Sequence, residues 1–129
     1  MKTRAILLAL LLVAGCSGGS TQRPISTARL AILSPTVNEQ TGTSVDLRVE
    51  LTGATVVPAS QVKGALRGDQ GHIHVTVDGR LVSMAFGLTQ TVPGLTPGPH
   101  SIQAEFVAVD HLPFRNRVLA SPVLFTVKA

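Results

Sequence analysis

The sequence predicts an all-β fold, an antiparallel β-sandwich of about seven strands. Apolar and polar residues alternate over several short stretches, Gly and Pro separate those stretches, and no stretch beyond residue 28 shows a capped helical stripe. A period of two indicates a strand with one buried face. About seven such strands in about 100 residues are typical of a sandwich of the immunoglobulin type.

Turn residues separate the strands of the N-terminal half. The first predicted strand, residues 29–33, ends at Ser34-Pro35. The second has the clearest alternation, with apolar residues on one face and charged residues on the other. A long connection over residues 52–70 follows it, with a short strand predicted at 55–57. The apolar face of the second strand comprises Val45, Leu47, Val49 and Leu51.

A hairpin is predicted around Asp78-Gly79, because this dipeptide is the strongest short signal for a two-residue turn. It joins the strand at 71–77 to a return strand at 80–86. Counting back from the turn pairs Ile73 with Met84. Met84 is therefore expected in the core rather than as a soft copper ligand.

Two more strands complete the predicted sandwich. Residues 101–108 alternate between polar and apolar side chains. The last strand covers 118–127 and is interrupted by Pro122, which suits an edge strand or a bulge because proline donates no ladder hydrogen bond.

The N-terminus has the pattern of an export signal. Lys2 and Arg4 precede an unbroken apolar run, Ala5–Ala14, which is shorter than the ~20 residues that a membrane-spanning helix needs. Its length matches the apolar region of a signal peptide. The run leads into Cys16, the one Cys of the chain.

The residues Val13-Ala14-Gly15-Cys16 resemble the bacterial lipobox. The resemblance implies that residues 1–15 are cleaved as a signal peptide and that Cys16 is acylated with fatty acids such as palmitate. It implies a protein anchored on the outer side of the cytoplasmic membrane, and Ser17 after the Cys permits sorting to an outer membrane. Residues 16–28 are then a flexible Ser- and Gly-rich tether, and residues 29–129 form the sandwich.

Composition excludes several classes of function. A single Cys forms neither an internal disulfide nor a cysteine zinc site. The chain has no Trp and no Tyr, and its net charge falls from +4 to +2 once Lys2 and Arg4 are removed, so no nucleic-acid partner is expected. No phosphate loop or nucleophile elbow occurs. We therefore predict a protein that is not an enzyme.

The histidines are the unusual chemistry of this sequence. His72 and His74 are two residues apart on one strand, so both point to the face opposite the core. In an immunoglobulin sandwich the third strand, 71–77, lies antiparallel to the sixth, 99–109, so His111 is expected beside them. Three imidazoles in reach of one point predict a zinc or copper(II) site. Exposed surface histidines without a metal are the alternative.

Other polar residues are predicted to orient the metal ligands or to form turns. Asp110 could orient His111 or His72 as a carboxylate behind the metal ligands, and a loop cap is the alternative. His100 falls at the far end of the sixth strand and is expected to bond its own turn. The residues predicted to form turns are Asp78, Gly79, Pro97, Gly98 and His100.

Residues 71–111 resemble a group of short exported bacterial domains of uncharacterised function. Their pattern is Gly-His-x-His-x-x-x-Asp-Gly, then Leu-x-Pro-Gly-x-His, then Asp-x-x-His; here His111 follows Asp110 directly. The resemblance implies a sandwich and a shared role for the histidines. From the residues we expect one of two functions: a lipid-anchored, non-catalytic binding or structural module of the cell envelope, or a copper- or zinc-binding lipoprotein.

Overall fold

The computed structural model describes residues 22–61, 63–85 and 87–129. The predictions made for residues 1–21, including the signal peptide and the acylation of Cys16, lie outside the described residues. The described part is built from strands, with a single turn of 3-10 helix at Ala59–Gln61. The strands are β1 Arg29–Ser34, β2 Gln40–Thr41, β3 Val45–Thr52, β4 Thr55–Val56, β5 Gln70–Val77, β6 Arg80–Ala85, β7 Thr89–Val92, β8 Gly98–Ala108, β9 Pro113–Leu119 and β10 Val123–Val127.

The strands form two sheets that pack as a sandwich. The first sheet has the order β1-β3-β7, all antiparallel. In the second, β8 lies between β5 and the pair β9 and β10, while β6 extends the far side of β5. Short parallel pairings add β2 to β10 and β4 to β5. The protein is an immunoglobulin-like antiparallel β-sandwich, as the sequence predicted.

The core lies between the two sheets and is filled by the predicted alternating residues. Ile73, Ile102 and Phe106 are fully buried, and β3 contributes Val45, Leu47 and Val49 from the other sheet. Phe106 stacks on Phe114 with ring centroids 5.2 Å apart. Burial of apolar side chains from both sheets is the main stabilising contribution, at about 1.5–3 kcal/mol for each large side chain.

The C-terminal part of the fold differs from the prediction. The single predicted strand at 118–127 is two strands, β9 and β10, which pair with successive stretches of β8. The chain leaves the sheet between them at the segment that contains Pro122, so the proline marks a break. β2 and β7 were not predicted, because one is two residues long and the other buries only Val92.

Met84 is exposed, so its predicted place in the core is wrong. A register shift between Val75 and Thr76 inserts one extra residue into β6. Met84 then lies opposite His74 instead of Ile73, and 48% of its surface is exposed. One bulge changes the face of every later residue, because side chains alternate with a period of two.

The folded body includes residues 23–28, which the sequence assigned to the tether. Asn116 on β9 donates to the Ser26 carbonyl oxygen and accepts from the Ser26 amide. The Arg115 amide donates to the Pro24 carbonyl oxygen. Ser26 and Ala28 are buried. This segment is therefore hydrogen-bonded to β9, an edge strand of the second sheet.

Candidate metal centre

Two strand ends and one turn bring three histidines together on the outer face of the second sheet. His72 and His74 lie near the start of β5, and β8 runs antiparallel to β5, so the end of β8 lies beside them. His111 lies in the turn that joins β8 to β9. The structure therefore gathers the three side chains that the sequence predicted.

The imidazole rings form a compact cluster. The His72 and His74 Nε2 atoms are 3.1 Å apart. The ring centroids of His72 and His111 are 4.4 Å apart, and those of His74 and His111 are 5.8 Å apart. One nitrogen from each ring can be chosen so that all three lie within 4.8 Å of one another. Nitrogens bound to one tetrahedral ion at 2.0–2.1 Å are about 3.3 Å apart, so each pair in this set lies at most about 1.5 Å beyond that spacing.

The cluster runs from the interior of the protein to its surface. His72 is fully buried, His74 is half-buried and His111 is exposed. The prediction that His72 faces outward on the sheet holds for the direction of its side chain, but the ring is covered. The other two histidines are in contact with it, so the cluster itself provides part of this cover.

Close packing of β5 on β8 fixes the position of His72. A Cβ atom on Gly71 would collide with the Val107 carbonyl oxygen and approach the Phe106 ring at 3.0 Å. Only glycine lets the two strands approach this closely at that point. The next residue, His72, is thereby held in register with Val107.

Burial keeps two of the imidazoles neutral. Burial, assisted by the neighbouring His111 and His74, lowers the pKa of His72 to about 4 against a smaller, opposing effect of Asp110. The pKa of His74 is also lowered, first by burial and then by His111, with Glu105 acting in the opposite direction. A neutral imidazole has a lone pair available for a metal ion, so no proton must be displaced from these rings near neutral pH.

His111 has an unusual backbone conformation. Its φ is 66°, in the left-handed region that non-glycine residues seldom adopt. The turn holds it there through bonds from the His111 amide to the Ala108 carbonyl oxygen and from the Ala108 amide to the Leu112 carbonyl oxygen. Histidine is one of the few non-glycine residues enriched in this conformation, and here the turn places the third imidazole beside the other two.

Two carboxylates flank the cluster, and both are bound by arginine. Asp110 accepts two hydrogen bonds from the Arg23 guanidinium, at 2.8 and 2.9 Å, and Arg23 also donates to the Leu112 and Pro113 carbonyl oxygens. The Asp110 charge opposes the lowering of the pKa of His72. The Leu112 amide donates to Asp110 Oδ1 at 3.2 Å, so Asp110 caps this turn, as the alternative predicted. A direct hydrogen bond from an imidazole to Asp110 remains a prediction.

Glu105 is the neighbour that sequence reasoning missed. It lies opposite His74 on β8 and accepts two hydrogen bonds from Arg117, at 2.8 and 2.6 Å. Together these residues border a groove of about 250 Å³ on the outer face of the sheet. Extending the predicted antiparallel pairing residue by residue would have identified Glu105, because Val77 pairs with Ile102.

His100 lies at the opposite end of β5 and β8, outside the cluster. Its Nδ1 atom is 2.7 Å from the Asp78 carboxylate and its Nε2 atom is 2.7 Å from the Thr96 carbonyl oxygen. Both partners are acceptors, so only the doubly protonated ring can donate to both. The Thr96 carbonyl raises the pKa of His100 most, followed by Asp78. Asp78 and Gly79 form the predicted turn between β5 and β6, with φ of 50° and 78°. Pro97 lies in the bend that precedes β8, whereas Gly98, with φ of 128°, and His100 are residues of β8 itself.

Comparison with one solved structure supports the fold. The chain is similar to the fibronectin(III)-like modules of CbhA from Clostridium thermocellum, with a TM-score of 0.55 and 18% identity, covering 77% of this chain and 94% of the module. An engineered protein is similar with a TM-score of 0.48 and 14% identity, over 79% of this chain and 20% of its own. No protein-family model and no curated protein matches the sequence. The similarity to the CbhA modules agrees with the β-sandwich fold of the structure.

The residues that the structure describes, 22–129 apart from 62 and 86, contain no helix of the length and apolar character required to cross a membrane.

Proposed function

We propose that this chain is an exported β-sandwich module that binds a transition-metal ion, copper or zinc, through His72, His74 and His111. The observation that carries the proposal is the placement of one nitrogen from each ring within 4.8 Å of the others. Imidazole nitrogen is a common ligand for both metals. The three rings come from a strand and a turn that are far apart in sequence, so the fold itself creates the cluster.

The burial gradient of the cluster suits reversible binding. His72 lies in the interior, whereas His111 is exposed and borders solvent. An ion bound by three imidazoles keeps a position for another ligand, and the exposed side gives a partner access to it. Both flanking carboxylates are engaged by Arg117 and Arg23. This arrangement favours binding and transfer of an ion over catalysis, and we propose a role that is not enzymatic.

Anchoring to a membrane completes the proposal. The lipobox-like sequence that ends at Cys16 supports cleavage before this residue and its acylation, which would place the module in the cell envelope. Two or three acyl chains give stable anchoring where one is marginal. The metal would then be bound outside the cytoplasm, close to the membrane surface. Loss of membrane association in a Cys16→Ala chain expressed in the native host would test the anchor.

A second candidate function is binding of an envelope protein through the edge strand β6. Leu81, Val82 and Met84 are large apolar residues that β6 exposes to solvent. Exposed apolar residues on an edge strand can pair with another protein. Recovery of a partner from envelope extract that Leu81→Lys abolishes, with metal content unchanged, would favour this function.

A titration tests the metal proposal directly. The full chain carrying Cys16→Ser and no histidine tag is titrated with Cu(II) and Zn(II) in detergent. We expect one ion per chain, and His111→Gly should weaken binding at least ~100-fold, because even residues behind the ligands contribute 10–100-fold. Glycine suits φ of 66°, so this variant removes the imidazole without straining the turn.

The matched control is His100→Gln, which removes the histidine at the opposite end of the sheet and should leave metal affinity unchanged. Binding that is absent in the parent chain, or that is equally strong in His111→Gly, would overturn the proposal.

A further inference from the structure

Met84 lies on the same outer face of the sheet as the histidine cluster. The bulge in β6 places it directly opposite His74 in the antiparallel ladder. Directly opposed residues project from the same face, with Cβ atoms about 4.5–5.5 Å apart. The exposed fraction of Met84, 48%, agrees with this orientation. A thioether is therefore positioned one strand away from the three imidazoles.

The side chain of Met84 can reach an ion held by His74. Methionine is unbranched and has three rotatable side-chain bonds, so its sulfur can be repositioned without movement of the backbone. The half-exposed position leaves room for this rotation. Its neighbour Ser83 points to the other face, where its hydroxyl donates to Gln90 at 2.5 Å. The alternation at this point of β6 thus assigns the sulfur, not the hydroxyl, to the side of the cluster.

We propose that Met84 supplies a fourth ligand, so that the site has three imidazoles and one thioether and selects Cu(I) over Zn(II). This inference rests on the proposed metal-binding function and specifies the ion. Thioether sulfur is a soft ligand that favours Cu(I), whereas zinc sites in proteins use imidazole, thiolate and carboxylate. A flexible thioether at the exposed edge also offers a ligand that an incoming partner can replace.

The competing fourth ligand is Glu105, on the other side of His74. A carboxylate oxygen there would complete a site suited to zinc. Both of its oxygens, however, accept hydrogen bonds from Arg117, at 2.8 and 2.6 Å. Releasing this bidentate pair costs two charge-assisted hydrogen bonds. The thioether carries no such cost, so the geometry favours the softer ligand.

Competition with a chromophoric Cu(I) chelator under anaerobic conditions tests the inference. In the full chain with Cys16→Ser, Met84→Leu should weaken Cu(I) binding at least ~10-fold and leave Zn(II) affinity within a factor of about two. Leucine preserves the apolar character of the exposed position. The matched control is Leu81→Ala, an exposed apolar change on the same strand, which should alter neither affinity.

X-ray absorption provides a second, independent measurement. The Cu(I)-loaded chain should show a sulfur neighbour of the copper in addition to its nitrogen neighbours, and this signal should be absent from the Met84→Leu chain. Equal Cu(I) affinity of Met84→Leu and its parent, or a copper shell without sulfur, would overturn the inference. The proposed function has a separate failure, namely no binding of any of the three ions or no effect of His111→Gly.

Discussion

Histidines at the two ends of the β5–β8 pair have pKa values that are shifted in opposite directions. At one end His72 and His74 are packed on each other and on His111, and burial lowers the pKa of the first two. At the other end His100 is also well covered, with 10% of its side chain exposed. Its pKa is nevertheless raised.

The difference between these ends comes from the hydrogen-bond partners and not from burial alone. His100 faces two acceptors, the Asp78 carboxylate and the Thr96 carbonyl, which stabilise the charged ring. The cluster histidines face other imidazoles, and a second positive charge at that distance is unfavourable. Two hydrogen-bond acceptors therefore raise the pKa of His100, whereas burial beside other imidazoles lowers the pKa of His72 and of His74.

The largest expected effect is on the cluster end and comes from Gly71→Ala. The added Cβ would overlap the Val107 carbonyl oxygen, so β5 and β8 must separate beside His72. We expect a loss of about 3 kcal/mol in the free energy of unfolding, measured by urea denaturation. Metal affinity should fall as well, while the ionisation of His100, followed by NMR, should not change. The contrasting variant is Gly79→Ala, in which the added Cβ meets no atom within 4 Å. Because φ there is 78°, this variant introduces backbone strain alone, with no steric collision.

A smaller effect is expected at the other end from Asp78→Ala. This change removes the acceptor for His100 and for the Ser101 amide, at 2.7 and 2.9 Å. We expect a loss of about 1–2 kcal/mol in the free energy of unfolding, because one of the bonds is charge-assisted but Asp78 is half-exposed. Asp78→Asn, which keeps a neutral acceptor and tolerates positive φ, should lose about half as much. Loss of metal affinity in either variant would contradict the expectation that the two ends of the β5–β8 pair are independent.

The smallest effect is the pH dependence that His100 gives to stability. Its pKa is higher in the folded than in the unfolded chain, so its contribution is complete below the unfolded value of ~6.5 and is lost as pH rises through the folded pKa. Asp78 stays ionised over this range, because its own pKa is lowered. The difference in unfolding free energy between the parent chain and His100→Gln should therefore shrink as pH rises from about 6.5 through the folded pKa of the ring. A constant difference would show that the pKa of His100 is the same in the folded and the unfolded chain.

The fold was predictable because it depends on local periodicity. The alternation in β3, β5 and β8 and the Asp78-Gly79 turn predict the central strands and their pairing, and with them the approach of His111 to His72. The pairing of the third predicted strand with the sixth follows from the strand order of an immunoglobulin sandwich. Alternation within a strand indicates which of its faces is buried, and this inference does not require the exact register between strands.

The surroundings of the cluster were less predictable, because they depend on register. One extra residue in β6 moves Met84 from the core face to the face of the histidines. Nothing in the alternation of residues 80–86 marks the bulge. The ion pairs of Arg23 with Asp110 and of Arg117 with Glu105 likewise join residues that only the folded chain brings together.

By itself, the sequence determined an all-β sandwich and the face of β5 that carries His72 and His74, because a strand exposes its residues with a period of two. The lipobox-like N-terminus and the proposed metal remain predictions from residues. The tertiary structure decided the burial of His72, the bulge that turns Met84 outward and the acceptors that keep His100 charged. These features depend on distances between strands, which no local pattern specifies.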